Sequence, residues 1–166
     1  MNISRHNLKN HWKPACLWQR LKMSLHEKSC LLEHQSLTAK FRKEHPNLRV
    51  EVLSESWGVP LNYERQALGL ARNKKAWIRC VVLKSDEQKL LYARTVIEDL
   101  TSGNAWFAIK KLGAQPLGEI LFNFKKIKRT EFKISKINNK LARYSIFTQN
   151  NNKLLLTEVF LTNRPE

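Results

Sequence analysis

Short apolar runs separated by polar connections dominate the second half of the chain, which is the pattern of an antiparallel sheet. Residues 76–83 and 90–97 flank a polar connection and predict a β-hairpin. Residues 131–137, 142–149 and 153–161 predict three further strands, and a run of asparagines joins the last two. Asparagine tolerates the left-handed backbone angles of tight turns, so these two strands are also expected to form a hairpin.

The N-terminal third instead has apolar residues at helical spacing. Ser24 and Glu27 form a capping-box pattern at the start of one helix, and the helical segment should end before Pro46. A strand is predicted over residues 49–56, followed by a polar loop around Gly58.

Two short helical segments are predicted between the strands, over residues 104–113 and 115–122. Helices first and hairpin-connected strands afterwards predict an α+β fold built on an antiparallel sheet. A chain of 166 residues is long enough to bury a core of its own, so we expect a single domain over residues 1–166.

The composition is that of a globular protein in a reducing compartment. Apolar residues make up 42% of the chain, and no apolar run is long enough to span a membrane. The N-terminus lacks the apolar stretch of a secretory signal. The three cysteines, Cys16, Cys30 and Cys80, form no CxxC pair and are expected to be free thiols. We therefore expect a cytoplasmic protein.

The formal net charge of +16 raises the question of an acidic partner. Such a charge can indicate binding to nucleic acid or to an acidic membrane surface. However, the basic residues are spread along the whole chain, and the densest cluster, residues 125–129, has no accompanying nucleic-acid-binding motif. Nucleic acid is therefore not expected as the partner, although the charge would attract a small anion.

Glu158 is unusual because it lies inside the most hydrophobic strand of the C-terminus. Strand side chains alternate between two faces, so Glu158 shares one face with Leu154, Leu156 and Phe160. The opposite face of this strand is apolar too, which predicts a strand covered on both sides. The carboxylate should therefore be largely buried, and a buried carboxylate is costly unless it has a partner.

Two arginines repeat this anomaly with the opposite charge. Arg79 lies on an apolar face of strand 76–83, and Arg94 lies on an apolar face of strand 90–97. If the strands are neighbours in one sheet, these arginines and Glu158 could line one cavity. One interpretation is a structural ion pair in the core. The other is a pocket with surplus positive charge that binds an aromatic or cyclic carboxylate.

Metal and cofactor chemistry are not expected. His26, Cys30 and His34 recur every four residues, but on a helix the outer two would lie about 12 Å apart, too far to share one ion. The sequence contains no phosphate-binding loop, dinucleotide fingerprint or catalytic-triad pattern.

Five short blocks occur in the same order and at the same spacing in one known family: WIRCVVL, ARTVI, LGAQPLGEILF, ARYSIF and LLLTEVFL. On these blocks the chain resembles the chorismate pyruvate-lyases, the 4-hydroxybenzoate synthases of bacterial ubiquinone biosynthesis. Residues 1–30 match the family only loosely. The sequence departs from the family pattern at Cys80, where many members have an acidic residue.

The resemblance implies an α+β fold in which helices cover a buried internal site. It also implies cofactor-free cleavage of chorismate to 4-hydroxybenzoate and pyruvate, the first committed step toward ubiquinone. By position, Arg79, Arg94 and Glu158 would be catalytic. Arg79 would hold the ring carboxylate, Glu158 would lie near the ring hydroxyl, and Arg94 would add positive charge for the enolpyruvyl carboxylate. The backbones of Leu37 and Leu117 would line the ligand.

Two other functions are compatible with the sequence. A non-catalytic sensor domain would bind a small aromatic or cyclic carboxylate in the same pocket without turnover. A nucleic-acid-binding module would depend on the net charge and would bind with steep salt dependence. A monomer is expected in the enzyme interpretation.

Overall fold

The computed structural model describes residues 12–18 and 23–162 of the chain. Within these residues the strands are β1 (Lys13–Pro14), β2 (Leu48–Gly58), β3 (Ala76–Ser85), β4 (Gln88–Ile97), β5 (Lys128–Arg129), β6 (Lys133–Ile137), β7 (Lys140–Gln149) and β8 (Asn152–Phe160). The α-helices are α1 (Leu25–Leu31), α2 (Leu37–Glu44), α3 (Asn62–Leu68) and α4 (Leu117–Leu121). Ala15–Trp18 and Phe107–Lys111 form 3₁₀ helices.

The strands form one antiparallel sheet, which confirms the predicted α+β fold. The strand order is β1-β6-β7-β8-β4-β3-β2, and β5 pairs with β7. The predicted hairpins β3–β4 and β7–β8 are both present. Asn150 and Asn151 have φ angles of 46° and 63° between β7 and β8, as expected for a turn built on asparagine.

The helix start at Ser24 is confirmed in detail. The backbone N–H of Glu27 donates to Ser24 Oγ at 3.1 Å, and the backbone N–H of Ser24 donates to Glu27 Oε2 at 2.8 Å. This reciprocal pair satisfies two of the donors that a helix N-terminus leaves without intrahelical acceptors. Helix α2 ends at Glu44, before Pro46, as predicted.

Several parts of the fold differ from the expectation, among them the two-residue strands β1 and β5, which were not predicted. Helix α3 was not predicted, because its seven residues follow the polar loop around Gly58 and show no long apolar period. The helical segment expected over residues 104–113 is a 3₁₀ helix, Phe107–Lys111, and Gly113 beyond it has a φ of 55°. The expected single domain also includes residues outside the described ranges.

The sheet is covered on both faces, and the two coverings differ. We call the face that carries Val81 and Leu156 the cavity face, and it packs against α2, α4 and the 3₁₀ helix Phe107–Lys111. We call the face that carries Val82 and Leu155 the closed face, and it packs against α3. Residues 154–159 of β8 are therefore buried on both sides, as the sequence pattern predicts. None of the described helices is long and apolar enough to cross a membrane.

Candidate active site

A cavity lies on the cavity face, between the sheet and the starts of α2 and α4. Its floor consists mainly of apolar side chains from β3, β4, β7 and β8, and residues 35–38 and 116–118 form its roof. Four charged residues also line it: Arg79, Arg129, Arg143 and Glu158. An apolar cavity with a few convergent polar groups is the usual form of a small-molecule site.

The roof of the cavity depends on close contact between two helix starts. A Cβ atom on Gly118 would lie 3.0 Å from Ser36 Oγ, so only glycine allows this approach without a shift of the neighbour. Leu37 and Leu117 are the first residues of α2 and α4 and both line the cavity. Their backbone N–H groups have no acceptor within their own helices and are available to a bound anion.

Arg79 forms one charged end of the cavity. Its side chain is 1% exposed, and its Nε donates to Oε1 of Glu55 on the neighbouring strand β2 at 2.7 Å. Its Nη2 donates to the carbonyl oxygens of Gly113 and Gln115 at 2.6 and 3.2 Å. No hydrogen bond among the described residues uses Nη1. The guanidinium is therefore held in place while one of its donor groups stays without a protein acceptor.

Glu158 and Arg143 form a pair at the other end. They face each other across β8 and β7, and Arg143 Nε donates to Glu158 Oε2 at 2.6 Å. Arg143 Nη1 donates to the carbonyl oxygens of Cys30, Leu31 and Glu33 at 3.1, 3.0 and 2.9 Å. Arg143 thus fixes the Glu158 carboxylate relative to the end of α1, and no hydrogen bond among the described residues uses the other carboxylate oxygen, Oε1.

Arg129 is the third arginine of the cavity and lies close to this pair. Its Nε donates to Ser145 Oγ at 2.9 Å, and its Nη1 donates to the carbonyl oxygen of His34 at 3.0 Å. The guanidinium carbon lies 4.3 and 4.7 Å from the ring centres of Phe132 and Phe147. Burial lowers the pKa of Arg129 to about 10, against the attraction of the Glu158 carboxylate.

The strand register sets the separation of the two ends. Glu158 pairs with Ala93 on β4, which pairs with Val81 on β3, two residues from Arg79. The Cα atoms of Arg79 and Glu158 should then lie roughly 12 Å apart, from about 4.8 Å between strands and about 3.4 Å per residue along a strand. Both side chains extend into the cavity from its ends, so the space between them suits a small ring.

The expectation that Arg94 lines the same cavity is wrong. Arg79 pairs with Thr95 across β3 and β4, so the residue next to Thr95 points to the opposite face. Arg94 Nε and Nη2 donate to the carboxylate oxygens of Glu64 at 2.6 and 3.2 Å, and Nη1 lies 3.6 Å from Cys80 Sγ. Arg94 therefore lies across the sheet from the cavity and has a partner of its own.

Sequence reasoning missed three charged residues of the site: Glu55, Arg129 and Arg143. The alternation of side chains along a strand, which predicted that Arg79 points inward, also places Arg143 on an inward face of β7. Arg143 could therefore have been predicted from the sequence. Arg129 belongs to the basic cluster 125–129, which has the pattern of a solvated surface. Only the pairing of β5 with β7 turns Arg129 toward the cavity.

No metal centre is seen at His26, Cys30 and His34. Within the part of the chain that the structure describes, no group of three or more His, Cys, Asp or Glu side chains could hold a metal ion. His26 Nε2 lies 3.5 Å from Cys30 Sγ, which is a contact between two helical neighbours. Cys16, Cys30 and Cys80 form no disulfide bond among the described residues.

Comparison with known proteins identifies the family. The model of the family described as chorismate lyase matches residues 9–165 of this chain. The chain belongs to the chorismate lyase family. A probable chorismate pyruvate-lyase from Hydrogenovibrio crunogenus is 42% identical to it, covering 91% of this chain and 90% of the relative. The chorismate pyruvate-lyase of Pectobacterium atrosepticum is 32% identical, covering 81% of this chain and 76% of the relative.

Among solved structures, a possible transcriptional regulator, YydK from Bacillus subtilis, aligns with 72% of this chain and 62% of its own at 11% identity. Its TM-score of 0.47 is too low to decide the fold. The resemblance to the chorismate lyase family led us to expect that four residues contact the substrate. All four line one cavity: Leu37, Arg79, Leu117 and Glu158.

Proposed function

We propose that this protein is a chorismate lyase that converts chorismate to 4-hydroxybenzoate and pyruvate without a cofactor, as a cytoplasmic monomer. The observation that carries the proposal is an apolar cavity in a chorismate lyase family chain with Arg79 at one end and Glu158 at the other. Chorismate is a dianion whose ring carries a carboxylate and a hydroxyl at opposite ends. Its polar groups therefore match the two ends of the cavity.

The proposed binding mode follows from the donors and acceptors at each end. The ring carboxylate accepts hydrogen bonds from Arg79 and from the backbone N–H groups of Leu37 and Leu117. The ring hydroxyl donates to the Glu158 carboxylate, which Arg143 holds in place. The apolar floor packs against the ring and excludes water, which strengthens both polar interactions.

The reaction requires little more than positioning and charge stabilisation. The ring carbon that carries the hydroxyl loses a proton, the ether C–O bond on the next carbon breaks, and the ring becomes aromatic. The departing enolpyruvate gains a proton at its methylene carbon and becomes pyruvate. The proton moves either through Glu158 as a base or directly to the methylene carbon. Both routes need the ring held between Arg79 and Glu158.

The direct test is incubation of the purified protein with chorismate and ultraviolet detection of 4-hydroxybenzoate. Product formation without added metal or organic cofactor is the expected result. Binding of chorismate without any product would instead indicate the sensor function.

Substitutions at the two ends of the cavity test the roles of the side chains. Glu158→Gln and Arg79→Ala should each lower turnover by about tenfold or more, the effect of losing roughly 1.4 kcal/mol of transition-state stabilisation. Arg49→Gln is the matched control, because Arg49 carries the same charge on an exposed strand and its guanidinium bonds to Asp86 and Glu87 of the β3–β4 turn. Rates like those of the unchanged protein in both cavity variants would refute the assignment of these residues.

A further inference from the structure

The proposed substrate has a second carboxylate that the expected contacts leave without a partner. In chorismate the enolpyruvyl ether is attached to the ring carbon next to the hydroxyl. Because the hydroxyl is placed at Glu158, the enolpyruvyl carboxylate must lie at the same end of the cavity, beside a carboxylate of the protein. A cation is needed there, and Arg94, which lies on the closed face, cannot supply it.

Arg143 is the nearest cation to Glu158, but its charge is paired with that carboxylate and its Nε and Nη1 groups already have acceptors. Nε is bonded to Glu158, and Nη1 serves three backbone carbonyl oxygens at the end of α1. Its charge is balanced by Glu158 at 2.6 Å. Any move of Arg143 toward a ligand would leave a buried carboxylate and several carbonyl groups unsatisfied, which is costly.

Arg129 differs in the number and kind of its partners. Its hydrogen bonds go to a hydroxyl group and a backbone carbonyl, and among the described residues it forms no ion pair with a carboxylate. The rings of Phe132 and Phe147 restrict the guanidinium without neutralising it. No hydrogen bond among the described residues uses its Nη2 group.

The charge balance of the cavity points to the same residue. Arg79 is paired with Glu55 and Arg143 with Glu158, so Arg129 supplies the surplus positive charge among the groups that line it. Burial lowers the pKa of this guanidinium to about 10, which leaves it protonated at neutral pH. An anion bound beside Arg129 would offset the cost of keeping a buried charge.

We propose that Arg129 binds the enolpyruvyl carboxylate of chorismate and thereby distinguishes the substrate from the aromatic product. The inference rests on the proposed lyase function. After cleavage, 4-hydroxybenzoate keeps the ring carboxylate and the hydroxyl but has lost the group that Arg129 contacts. Arg129 should therefore contribute to the affinity for substrate and leave the affinity for product nearly unchanged, whereas Arg79 should contribute to both.

The test compares the effect of one substitution on two ligands. Arg129→Gln should raise KM for chorismate by about tenfold to a hundredfold, the factor expected for losing a charge-assisted hydrogen bond. The inhibition constant of 4-hydroxybenzoate against the same variant should change by less than about threefold, within the variation of a residue that makes no contact. Retained product binding also shows that the variant's cavity is folded.

Two further variants complete the experiment. Arg129→Lys keeps the charge and should recover most of the affinity for chorismate, and the exposed Arg49→Gln should leave both constants unchanged. An equal loss for both ligands, or no loss for chorismate, in Arg129→Gln would overturn the proposal. If the unchanged protein forms no 4-hydroxybenzoate, the lyase function itself has failed, which is a different result.

Discussion

An Arg–Glu pair lies on each face of the sheet, Arg94–Glu64 and Arg143–Glu158, and the two pairs have different surroundings. On the closed face, Arg94 pairs with Glu64 of α3 beneath a packed layer of side chains. On the cavity face, Arg143 pairs with Glu158 at the edge of an open space. Thr157 and Glu158, adjacent on β8, point to these two sites.

The two sites differ in how many hydrogen bonds their carboxylates accept. They are similar in burial and in charge. Glu64 accepts bonds from Arg94 through both carboxylate oxygens and also from Leu61 N–H at 2.7 Å and Tyr63 Oη at 3.3 Å. Among the described residues, the Glu158 carboxylate accepts one side-chain hydrogen bond, from Arg143. A saturated buried pair has nothing left for a ligand, whereas an unsaturated pair beside a cavity does.

The largest effect on stability should come from breaking the saturated pair. Glu64→Ala leaves Arg94 buried without its counter-ion, and the free energy of unfolding should fall by about 3–5 kcal/mol. Turnover per folded molecule should stay close to that of the unchanged protein, because Glu64 lies across the sheet from the cavity. Urea denaturation and a chorismate assay on the same preparation measure the two quantities.

Glu64→Gln sharpens that comparison because it keeps the shape and most acceptors of the side chain. The loss of stability should be smaller than in Glu64→Ala. A large loss of turnover in folded Glu64→Gln would mean that the closed face takes part in catalysis, although it lies across the sheet from the cavity.

A second contrast concerns alkaline pH, because all three tyrosines pack on the closed face: Tyr63, Tyr92 and Tyr144. Burial raises the pKa of each tyrosine above its ordinary value of 10.0. The stability that these groups contribute is complete below pH 10 and falls at higher pH, because only the unfolded chain then releases the phenolic protons. The decline should be at most about 1.4 kcal/mol per pH unit for each group.

Tyr63→Phe isolates one of these contributions. It removes the 2.7 Å bond with Thr157 Oγ1 and should cost about 1 kcal/mol at neutral pH. Above pH 10 the unfolding free energy of this variant should decline less steeply than that of the unchanged protein. Parallel declines in urea titrations of the two proteins would show that Tyr63 is not the group responsible.

The smallest effect is expected at Cys80, where the sequence departs from the family pattern. Its thiol accepts from Tyr92 Oη at 3.2 Å and lies 3.6 Å from Arg94 Nη1, so it belongs to the closed face although it follows Arg79 in the chain. Cys80→Ser keeps an acceptor at this place and should change stability by less than about 1 kcal/mol. A clear change in KM for chorismate would contradict this placement.

The sequence predicted much of the sheet because strand alternation and turn residues are local signals. The asparagine turn before β8, the capping box at Ser24 and the inward face of Glu158 all depend on residues close together in the chain. The family blocks then indicated Arg79 and Glu158, which the structure places at opposite ends of one cavity.

The sequence did not predict which charged side chains share a site. Alternation assigns the side chains of each strand to two faces, but it does not show which faces of neighbouring strands lie on the same side of the sheet. The pairing of Arg79 with Thr95 sends Arg94 to the closed face, and the unpredicted helix α3 brings Glu64 to it. The sequence by itself therefore determined the long strands and three of their inward charges, Arg79, Arg94 and Glu158. The tertiary structure alone decided that Arg129 lies beside Glu158 in the cavity and that Arg94 does not, although Arg129 belongs to a basic segment with the pattern of a solvated surface. The reason is that register and long-range strand pairing depend on residues far apart in the chain.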